Sequence, residues 1–448
     1  MKKSQKDKKV ILTILVLWLI GTSVSFIITA DEWLFWDARN YWKRGVSLWT
    51  DNKFSVLNMK DGFRGYVYPL YLGICNRIGG KNAYILINSL LIAVFMTVIV
   101  PKLHEINETG GIKSIIHYVI FAFLFVGLIA YPLSDLFAIV LCSIGILIER
   151  MLEKSSGIQK CMMLSLVLGA IMYLTYNVRT IYLFADMIMV VKLMINSLKR
   201  NKKKIVFRFL MVGTGILFAA IPQIYMNYFK LGIVSIKVPT HGLMLQQVFW
   251  GIQYQRYDTY VGNAVEHSVA PMYFLDPVGS RLLLELGIES FDNWKEFFFV
   301  CLKYPVEIFG IYVRHFINML LPCWPNQYVT ELNNCKILLA IVALLIFWAF
   351  GTGVLNKFIS IENLRNYIIL LTPVVFITPG AVEVRFYAAL YIMVIGALCY
   401  NMQWGRFKEY ILGNKVKVSV SLAIYVCFMV SIWSAMLTSD PCCGIYFE

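Results

Sequence analysis

The chain has 448 residues, of which 59% are hydrophobic and 15% are charged, and its formal net charge is +15. Soluble globular domains carry about a quarter charged residues, so this composition excludes an ordinary soluble protein. The basic residues form short clusters between apolar runs, which is typical of the positive-inside rule rather than of nucleic-acid binding. We therefore expect membrane lipid, and no nucleic acid, among the partners.

Eleven apolar runs of 12–23 residues are predicted to cross the membrane as helices, from their apolar pattern and the positions of the basic loops between them. The tail "MKKSQKDKK" and the loop "KLMINSLKRNKKK" carry strong basic clusters, which place them in the cytoplasm. We predict a single all-α polytopic domain over residues 1–448 in the cell membrane, with a cytoplasmic N-terminus and an outer C-terminus. The predicted spans are 10–30, 83–101, 114–130, 136–148, 161–175, 180–191, 205–227, 336–355, 366–379, 386–402 and 418–438.

The first outer segment, residues 31–82, begins with an unusual concentration of acids and aromatics, "ADEWLFWDARNYW". It contains Asp31, Glu32 and Asp37. Tyr41 follows Asp37 by four residues, so a helix would place both on one face. The later stretch "RGYVYPLYLGI" contributes Arg64 and Tyr68 and joins a cation to aromatics at the bilayer surface.

The second outer segment, residues 228–335, is the longest stretch between predicted spans. It includes the amphipathic piece "NWKEFFFVCLKYPVEIFGIYVRHFINMLLP", which is predicted to lie along the membrane surface or to dip into it. We assign this segment to recognition of the donor or the acceptor. Both outer segments are thus predicted to carry interfacial helices.

The first outer segment, through "WDARNYWKRGVSLW" and "GFRGYVYPLYLGICNRIGG", resembles the first outer loop of the GT-C superfamily of integral-membrane glycosyltransferases. That superfamily includes the bacterial aminoarabinose and protein mannosyl transferases. "YPLSDLFAIVL", "LTYNVRTIYLF", "YPVEIFGIYVRHFIN" and "EVRFYAALY" are similar to further family features in the same order. The resemblance covers the whole chain in layout and some sixty residues in motif.

The resemblance implies a GT-C-like fold and a polyprenyl-phosphate sugar as donor. The sugar would pass on the outer side, with inversion, to a glycan, lipid or protein of the cell envelope. Such a transfer needs a carboxylate base, and Asp37 fits the family's Asp-then-Tyr pattern. Asp31 and Glu32 form the literal acidic pair after the first span and stay alternatives, as does a purely structural role in a solvated loop.

The leaving lipid phosphate needs cations, and the candidates are Arg64, Arg179 and Arg385. Each of these arginines also fits an interfacial role without a ligand. Tyr41, Asp135 and Tyr68 are the candidate substrate contacts, with capping of a turn as the alternative for Asp135. Glu383 lies two residues before Arg385, so a helix would keep the two side chains from facing each other.

No cofactor is expected, because the first outer segment lacks the Asp-x-Asp pattern that would indicate an obligatory divalent metal. Two other classes compete with the transferase. A polysaccharide polymerase or ligase depends on outer arginines and would tolerate Asp37→Asn. A transporter or flippase for a lipid-linked sugar would show charges at mid-membrane depth and paired broken helices.

Overall fold

In the computed structural model the chain is about 81% helical. The structure describes residues 2–30, 33–50, 53–59, 64–107, 109–155, 157–200, 205–240, 242–261, 269–321, 336–438 and 441–443. Within these ranges, nine helices are long and apolar enough to cross a membrane. The chain is therefore a predominantly helical, multi-pass membrane protein, as its composition predicts.

The nine helices coincide with nine of the eleven predicted spans. They are Gln5–Ile28, Val67–Leu103, Ile112–Ala130, Ile158–Val178, Thr180–Leu198, Val206–Leu231, Ile337–Leu355, Val384–Asn401 and Lys415–Met436. The predicted span 136–148 lies within the helix Ser134–Lys154, whose second half carries several charges. The predicted span 366–379 corresponds to the short apolar helix Tyr367–Ile377. The total of eleven spans stays a prediction.

Within the described residues, the first half of the chain forms nine α-helices and a short β-ribbon. In chain order they are α1 (Lys2–Ile28), α2 (Trp36–Ser47), β1 (Trp49–Thr50), β2 (Lys53–Phe54), α3 (Val67–Val94), α4 (Val100–Leu103), α5 (Ile112–Ala130), α6 (Ser134–Lys154), α7 (Ile158–Val178), α8 (Leu183–Arg200) and α9 (Ile205–Leu231). A π-helical turn, Phe95–Ile99, joins α3 to α4.

In the part of the second half that the structure describes, nine further α-helices and a three-stranded antiparallel sheet in the order β3-β4-β5 are present. The elements are α10 (Leu243–Gln253), β3 (Tyr254–Val261), β4 (Val269–Leu275), α11 (Gly279–Leu286), α12 (Trp294–Lys303), α13 (Pro305–Met319), α14 (Lys336–Leu355), α15 (Tyr367–Ile377), α16 (Ala388–Gly396), α17 (Trp404–Gly413), α18 (Lys415–Thr438) and β5 (Pro441–Cys443). In the sheet Tyr257 lies opposite Tyr273, and Met272 lies opposite Cys443. The all-helical prediction omitted these strands.

The chain folds into two compact units. The first contains Met1–Tyr118, Leu128–His241 and Asn363–Pro373, and the second contains Val119–Gly127, Gly242–Glu362 and Val374–Glu448. In the first unit α7 packs against α6 and α9, while α1 and α2 both pack against α3. In the second unit α10, α11, α12 and α13 enclose an apolar core around Ile252, Leu283, Val300 and Ile311.

The helix α3 is interrupted at two glycines. Gly80 has a φ of 60°, in the left-handed region that favours glycine, and Gly79 is also non-helical. The break separates a first part, up to Ile78, from the part that continues to α4. It lies close to residue 83, where the second span was predicted to begin. The first part of α3 therefore falls in the predicted outer segment, beside α2.

A close approach of two glycines sets α2 against the first part of α3. A Cβ atom added at Gly73 would lie 2.4 Å from the ring of Trp49 and 2.5 Å from the carbonyl oxygen of Gly45. A Cβ atom added at Gly45 would lie 2.7 Å from the carbonyl oxygen of Pro69. Only glycine leaves room for the two backbones here, which is how small residues bring helices together.

We expect Gly73→Ala to destabilise the protein by about 1–3 kcal/mol, because the new methyl group overpacks the contact between α2 and α3. Gly213→Ala is the control, since nothing lies within 4 Å of a Cβ atom at Gly213 in α9. Thermal unfolding of both variants in one detergent measures the difference. Equal melting temperatures for the two variants would contradict the close approach.

Candidate functional site

The helix α2 presents Asp37 and Tyr41 on one face, as the sequence predicted. Asp37 lies in its first turn, where a carboxylate is favoured by the helix dipole. The preceding residue, Trp36, has a φ of 32°, which is uncommon for a large side chain and costs on the order of 1–3 kcal/mol. Such strain concentrates at functional sites, so it marks the start of α2 as a candidate.

Arg64 joins the two side chains of α2. Its Nη2 lies 3.6 Å from Oδ1 of Asp37, and its Nη1 donates a hydrogen bond of 3.2 Å to the hydroxyl of Tyr41. The guanidinium carbon also lies 5.4 Å from the centroid of the Tyr41 ring. Side-chain exposure is 37% for Arg64 and 19% for Asp37, so both groups remain within reach of a ligand.

The hydroxyl of Tyr41 extends the cluster to α6. It accepts a second hydrogen bond, of 3.1 Å, from Oγ of Ser134. The next residue, Asp135, is buried and forms an ion pair with Arg179, which lies between α7 and the 3₁₀ turn Thr180–Tyr182. Two predicted outer segments thus meet at Tyr41, and the Asp135–Arg179 pair connects a third to them. We call Asp37, Tyr41, Arg64, Asp135 and Arg179, with Ser134, the acid–arginine cluster.

Tyr68 closes the apolar side of the acid–arginine cluster. Its ring meets the Tyr41 ring edge to face, with centroids 5.1 Å apart. Tyr71, one turn further along α3, stacks on Phe137 at 4.9 Å. Aromatic pairs in these geometries add about 0.5–1.5 kcal/mol beyond their burial. They form a firm apolar wall next to the charged groups.

A chain of three buried amides holds the backbone that carries Arg64. Oδ1 of Asn177 accepts the amide N–H of Val67 at 2.9 Å, and Nδ2 of Asn177 donates to Gln223 at 2.9 Å. Gln223 in turn donates to Asn227 at 3.0 Å, and Asn227 donates to the carbonyls of Ser235 and Lys237. We call Asn177, Gln223 and Asn227 the amide chain. It connects the start of α3 with residues that follow α9.

Two neighbours of Arg64 strengthen this attachment. A Cβ atom at Gly65 would lie 2.0 Å from the carbonyl oxygen of Asn177, so only glycine fits. The hydroxyl of Tyr66 donates to the carbonyl of Ala219 at 2.7 Å. Burial raises the pKa of Tyr66 to about 12, which keeps this hydroxyl protonated as a donor at neutral pH. The segment 64–66 is therefore fixed against α7 and α9.

The structure brings six of the nine predicted site residues together in the first unit: Asp37, Tyr41, Arg64, Tyr68, Asp135 and Arg179. Asp31 and Glu32 lie outside the described residues. Arg385 belongs to the second unit, where its guanidinium contacts Glu383 at 2.9 Å. The expectation that these two side chains would not face each other is wrong, because Glu383 is extended and precedes a 3₁₀ turn rather than lying in an α-helix.

Ser134 and the amide chain were not singled out from the sequence. Gln223 and Asn227 lie four residues apart in an otherwise apolar span, so they share a helix face. Two amides on one face of a membrane helix demand partners there, and this was the available signal. Nothing in the sequence pointed to Asn177 as their partner.

The second unit buries its own polar groups, several of which the sequence also left unmarked. Arg256 is only 1% exposed, and Asp276 is fully buried and pairs with Arg314 at 2.7 Å. Within the described residues, no group of three or more His, Cys, Asp or Glu side chains is placed to hold a metal ion.

Comparison with known proteins identifies no relative. No family model, no curated protein and no solved structure matches this chain. The acid–arginine cluster is therefore interpreted from its own geometry and chemistry.

We expect Asp135→Leu to destabilise the protein by about 3–5 kcal/mol, because it removes the buried carboxylate that pairs with the guanidinium of Arg179. The double variant Asp135→Leu/Arg179→Leu should recover part of that loss, since the charge that the carboxylate balanced is removed as well. Denaturant unfolding of both variants measures the recovery. A double variant that is no more stable than the single variant would contradict the pairing.

The exposed pair Arg281 and Glu285 provides the control for this comparison. Glu285→Leu should change stability by less than about 1 kcal/mol, because exposed ion pairs contribute little.

Proposed function

We propose that this protein is a membrane glycosyltransferase that resembles the GT-C superfamily and transfers a sugar from a polyprenyl-phosphate donor. One observation carries the proposal. Two acid–arginine pairs from separate predicted outer turns lie near each other in the first unit, because Ser134, which donates to Tyr41 beside the Asp37–Arg64 pair, directly precedes Asp135 of the Asp135–Arg179 pair. The acceptor would be a glycan, lipid or protein of the cell envelope, reached on the outer face.

The acid–arginine cluster contains the groups that an inverting transfer needs. The Asp37 carboxylate would take the proton from the acceptor hydroxyl as its oxygen forms a bond to the anomeric carbon. The bond from that carbon to the phosphate oxygen breaks, and the phosphate leaves with the electron pair. Arg64 would meet the charge that grows on the leaving phosphate. Proton, sugar and phosphate are all accounted for without a metal step.

Tyr41 and the aromatic wall fit the remaining parts of the substrate. The oxygen of Tyr41 accepts from both Arg64 and Ser134, so its own proton can be donated to a sugar or phosphate oxygen. Tyr71 and Phe137, which are partly exposed and pack on the buried Tyr68, offer apolar surface for the first isoprene units of the donor. Asp135 and Arg179 add a second acid–arginine pair.

A transporter or flippase for a lipid-linked sugar is the second candidate. It is favoured by the charged side chains within α6 and α8, where Glu149 is fully buried and lies 2.5 Å from Nζ of Lys192. Asp186 in α8 is also buried. Buried charges between membrane helices often mark ion or substrate pathways. A polymerase or ligase, the third class, would depend on the arginines and not on Asp37.

We expect Asp37→Asn to lower the rate of sugar transfer by about 10²–10⁴, the usual contribution of a general base. The full chain in nanodiscs would be given a panel of polyprenyl-phosphate sugars and envelope acceptor fractions, and loss of lipid-linked sugar would be followed. Asp292→Asn, at an exposed acid outside the acid–arginine cluster, is the matched control.

Unchanged turnover in Asp37→Asn would remove Asp37 from the mechanism and favour a polymerase or ligase. Movement of an intact lipid-linked sugar across a liposome membrane, without turnover, would favour the flippase.

We expect Arg64→Gln to lower turnover by about 10²–10³, because it removes a charged donor from the leaving phosphate. Arg64→Lys should recover only part of the activity, since lysine keeps the charge but cannot contact Asp37 and Tyr41 together. Arg281→Gln, at an exposed arginine of α11, is the control. Full activity of Arg64→Gln would contradict the assignment of the phosphate to this arginine.

A further inference from the structure

The helix α13 carries an apolar stripe that the described part of the protein leaves partly exposed. Phe309, Val313 and Phe316 share one face and are 71%, 38% and 44% exposed, and the ring of Phe316 lies 6.0 Å from that of Tyr387. The opposite face, with Ile308 and Ile311, is buried in the core of the second unit. A helix with apolar residues on both faces offers water little polar surface, and its exposed acid, Glu307, lies in the first turn. At 15 residues it is also too short to cross the hydrocarbon.

The end of α13 contacts three spanning helices of the same unit, at residues that lie inside their spans. Ile317 and Leu320 pack in a cluster with Leu344 of α14 and Met429 of α18. The hydroxyl of Tyr391 in α16 donates to the carbonyl of Met319 at 3.0 Å.

The depth of these contacts follows from the span boundaries. The cluster also contains Ala340, Tyr425 and Trp433, so its residues in α14 and α18 lie three to eleven residues inside their spans, counted from Ile337 and Met436. Tyr391 lies seven residues inside its span, counted from Val384. All three boundaries are predicted to be outer ends, and three to eleven residues of α-helix correspond to about 5–16 Å. These depths lie within a hydrocarbon core of about 30 Å.

Backbone carbonyl oxygens at the end of α13 accept hydrogen bonds from a side chain, as a helix end in hydrocarbon requires. The last carbonyls of a helix lack partners within it. Here Arg256, itself almost fully buried, donates to the carbonyls of Asn318 and Leu321 at 2.7 and 2.6 Å. Lipid-exposed segments cannot leave such groups without partners, because no water is present.

The polar side chains in the second half of α13 are likewise turned inward. Arg314 forms two hydrogen bonds, of 2.7 and 2.8 Å, with the buried carboxylate of Asp276. Both ring nitrogens of His315 lie within 3 Å of carbonyl oxygens, those of Thr378 and Tyr254. Charged groups at membrane depth are usually paired inside the protein in this manner. No such group lies on the face formed by Phe309, Val313 and Phe316.

We propose that α13 is a re-entrant helix immersed in the outer leaflet, and that its stripe of Phe309, Val313 and Phe316 contacts lipid acyl chains. The occupant is lipid because the stripe ends at the depth where three neighbouring spans lie within hydrocarbon. The sequence left open whether this segment lies on the surface or dips into the bilayer, and the contacts favour dipping. This surface does not depend on the proposed enzymatic function.

Photo-crosslinking in nanodiscs of defined phospholipid tests this surface on the full chain. The variants Phe309→p-benzoylphenylalanine and Phe316→p-benzoylphenylalanine replace one exposed aromatic side chain by another. After irradiation, mass spectrometry counts protein molecules that carry one phospholipid. Phe428, which is 53% exposed on the spanning helix α18, is the lipid-facing control position, and Lys295 on α12 is the exposed polar control.

We expect lipid adducts at positions 309 and 316 at a yield within about twofold of position 428, and few at position 295. Adducts to a second protein copy, or no lipid adducts at either position while position 428 reacts, would overturn the proposal. Hydroxyl-radical footprinting of the unsubstituted protein gives an independent result. Phe309 and Phe316 should be protected in nanodiscs, whereas their oxidation to the level of Trp294 would show contact with water.

Discussion

Arg64 is the residue on which the candidate site depends, because its guanidinium contacts both Asp37 and Tyr41, which lie on one face of α2. It lies against the carboxylate of Asp37 and donates to the hydroxyl of Tyr41. Without it, Asp37 would lose this ion pair, and Tyr41 would lose one of the two hydrogen bonds that its hydroxyl accepts. The acid, the phenol and the cation are therefore one unit electrostatically. A change at any of them is felt by the other two.

The position of Arg64 is fixed by contacts of the neighbouring backbone, and not only by its contacts with Asp37 and Tyr41. The amide chain fixes the N–H of Val67, three residues after Arg64, and Gly65 allows the backbone to lie directly against Asn177. The glycine contact between α2 and α3 fixes the other partner, the helix that carries Asp37 and Tyr41. Precise catalytic geometry requires such supporting contacts, since an error of about 1 Å can cost a hundredfold in rate.

In the second unit, too, buried polar side chains have hydrogen-bonding partners. Arg256, Asp276, Arg314 and His315 are buried there with hydrogen-bonding partners. Burying any of these side chains without a partner would cost free energy. The exposed stripe of α13 and the inward polar side of the same helix are two consequences of one constraint, the absence of water in hydrocarbon.

Much of the fold could be predicted from the sequence, because hydrocarbon thickness and the distribution of basic residues constrain spans strongly. Nine predicted spans recur as helices, and the Asp37–Tyr41 spacing correctly placed both residues on one helix face. The pairing of Glu383 with Arg385 did not follow from the sequence. A helix would keep residues two apart from facing each other, but the backbone at Glu383 is extended. The sheet, the amide chain and the contact of Arg64 with α2 join residues far apart in sequence, and no local pattern encodes such distances.

The most direct test of this account is a structure of the full chain in nanodiscs with bound polyprenyl phosphate. The account predicts phosphate density within hydrogen-bonding distance of the Arg64 guanidinium, with the first isoprene units along Tyr71 and Phe137. Phosphate density beside Arg385 and away from Arg64, or a lipid phosphate bound elsewhere with the acid–arginine cluster unchanged, would contradict it.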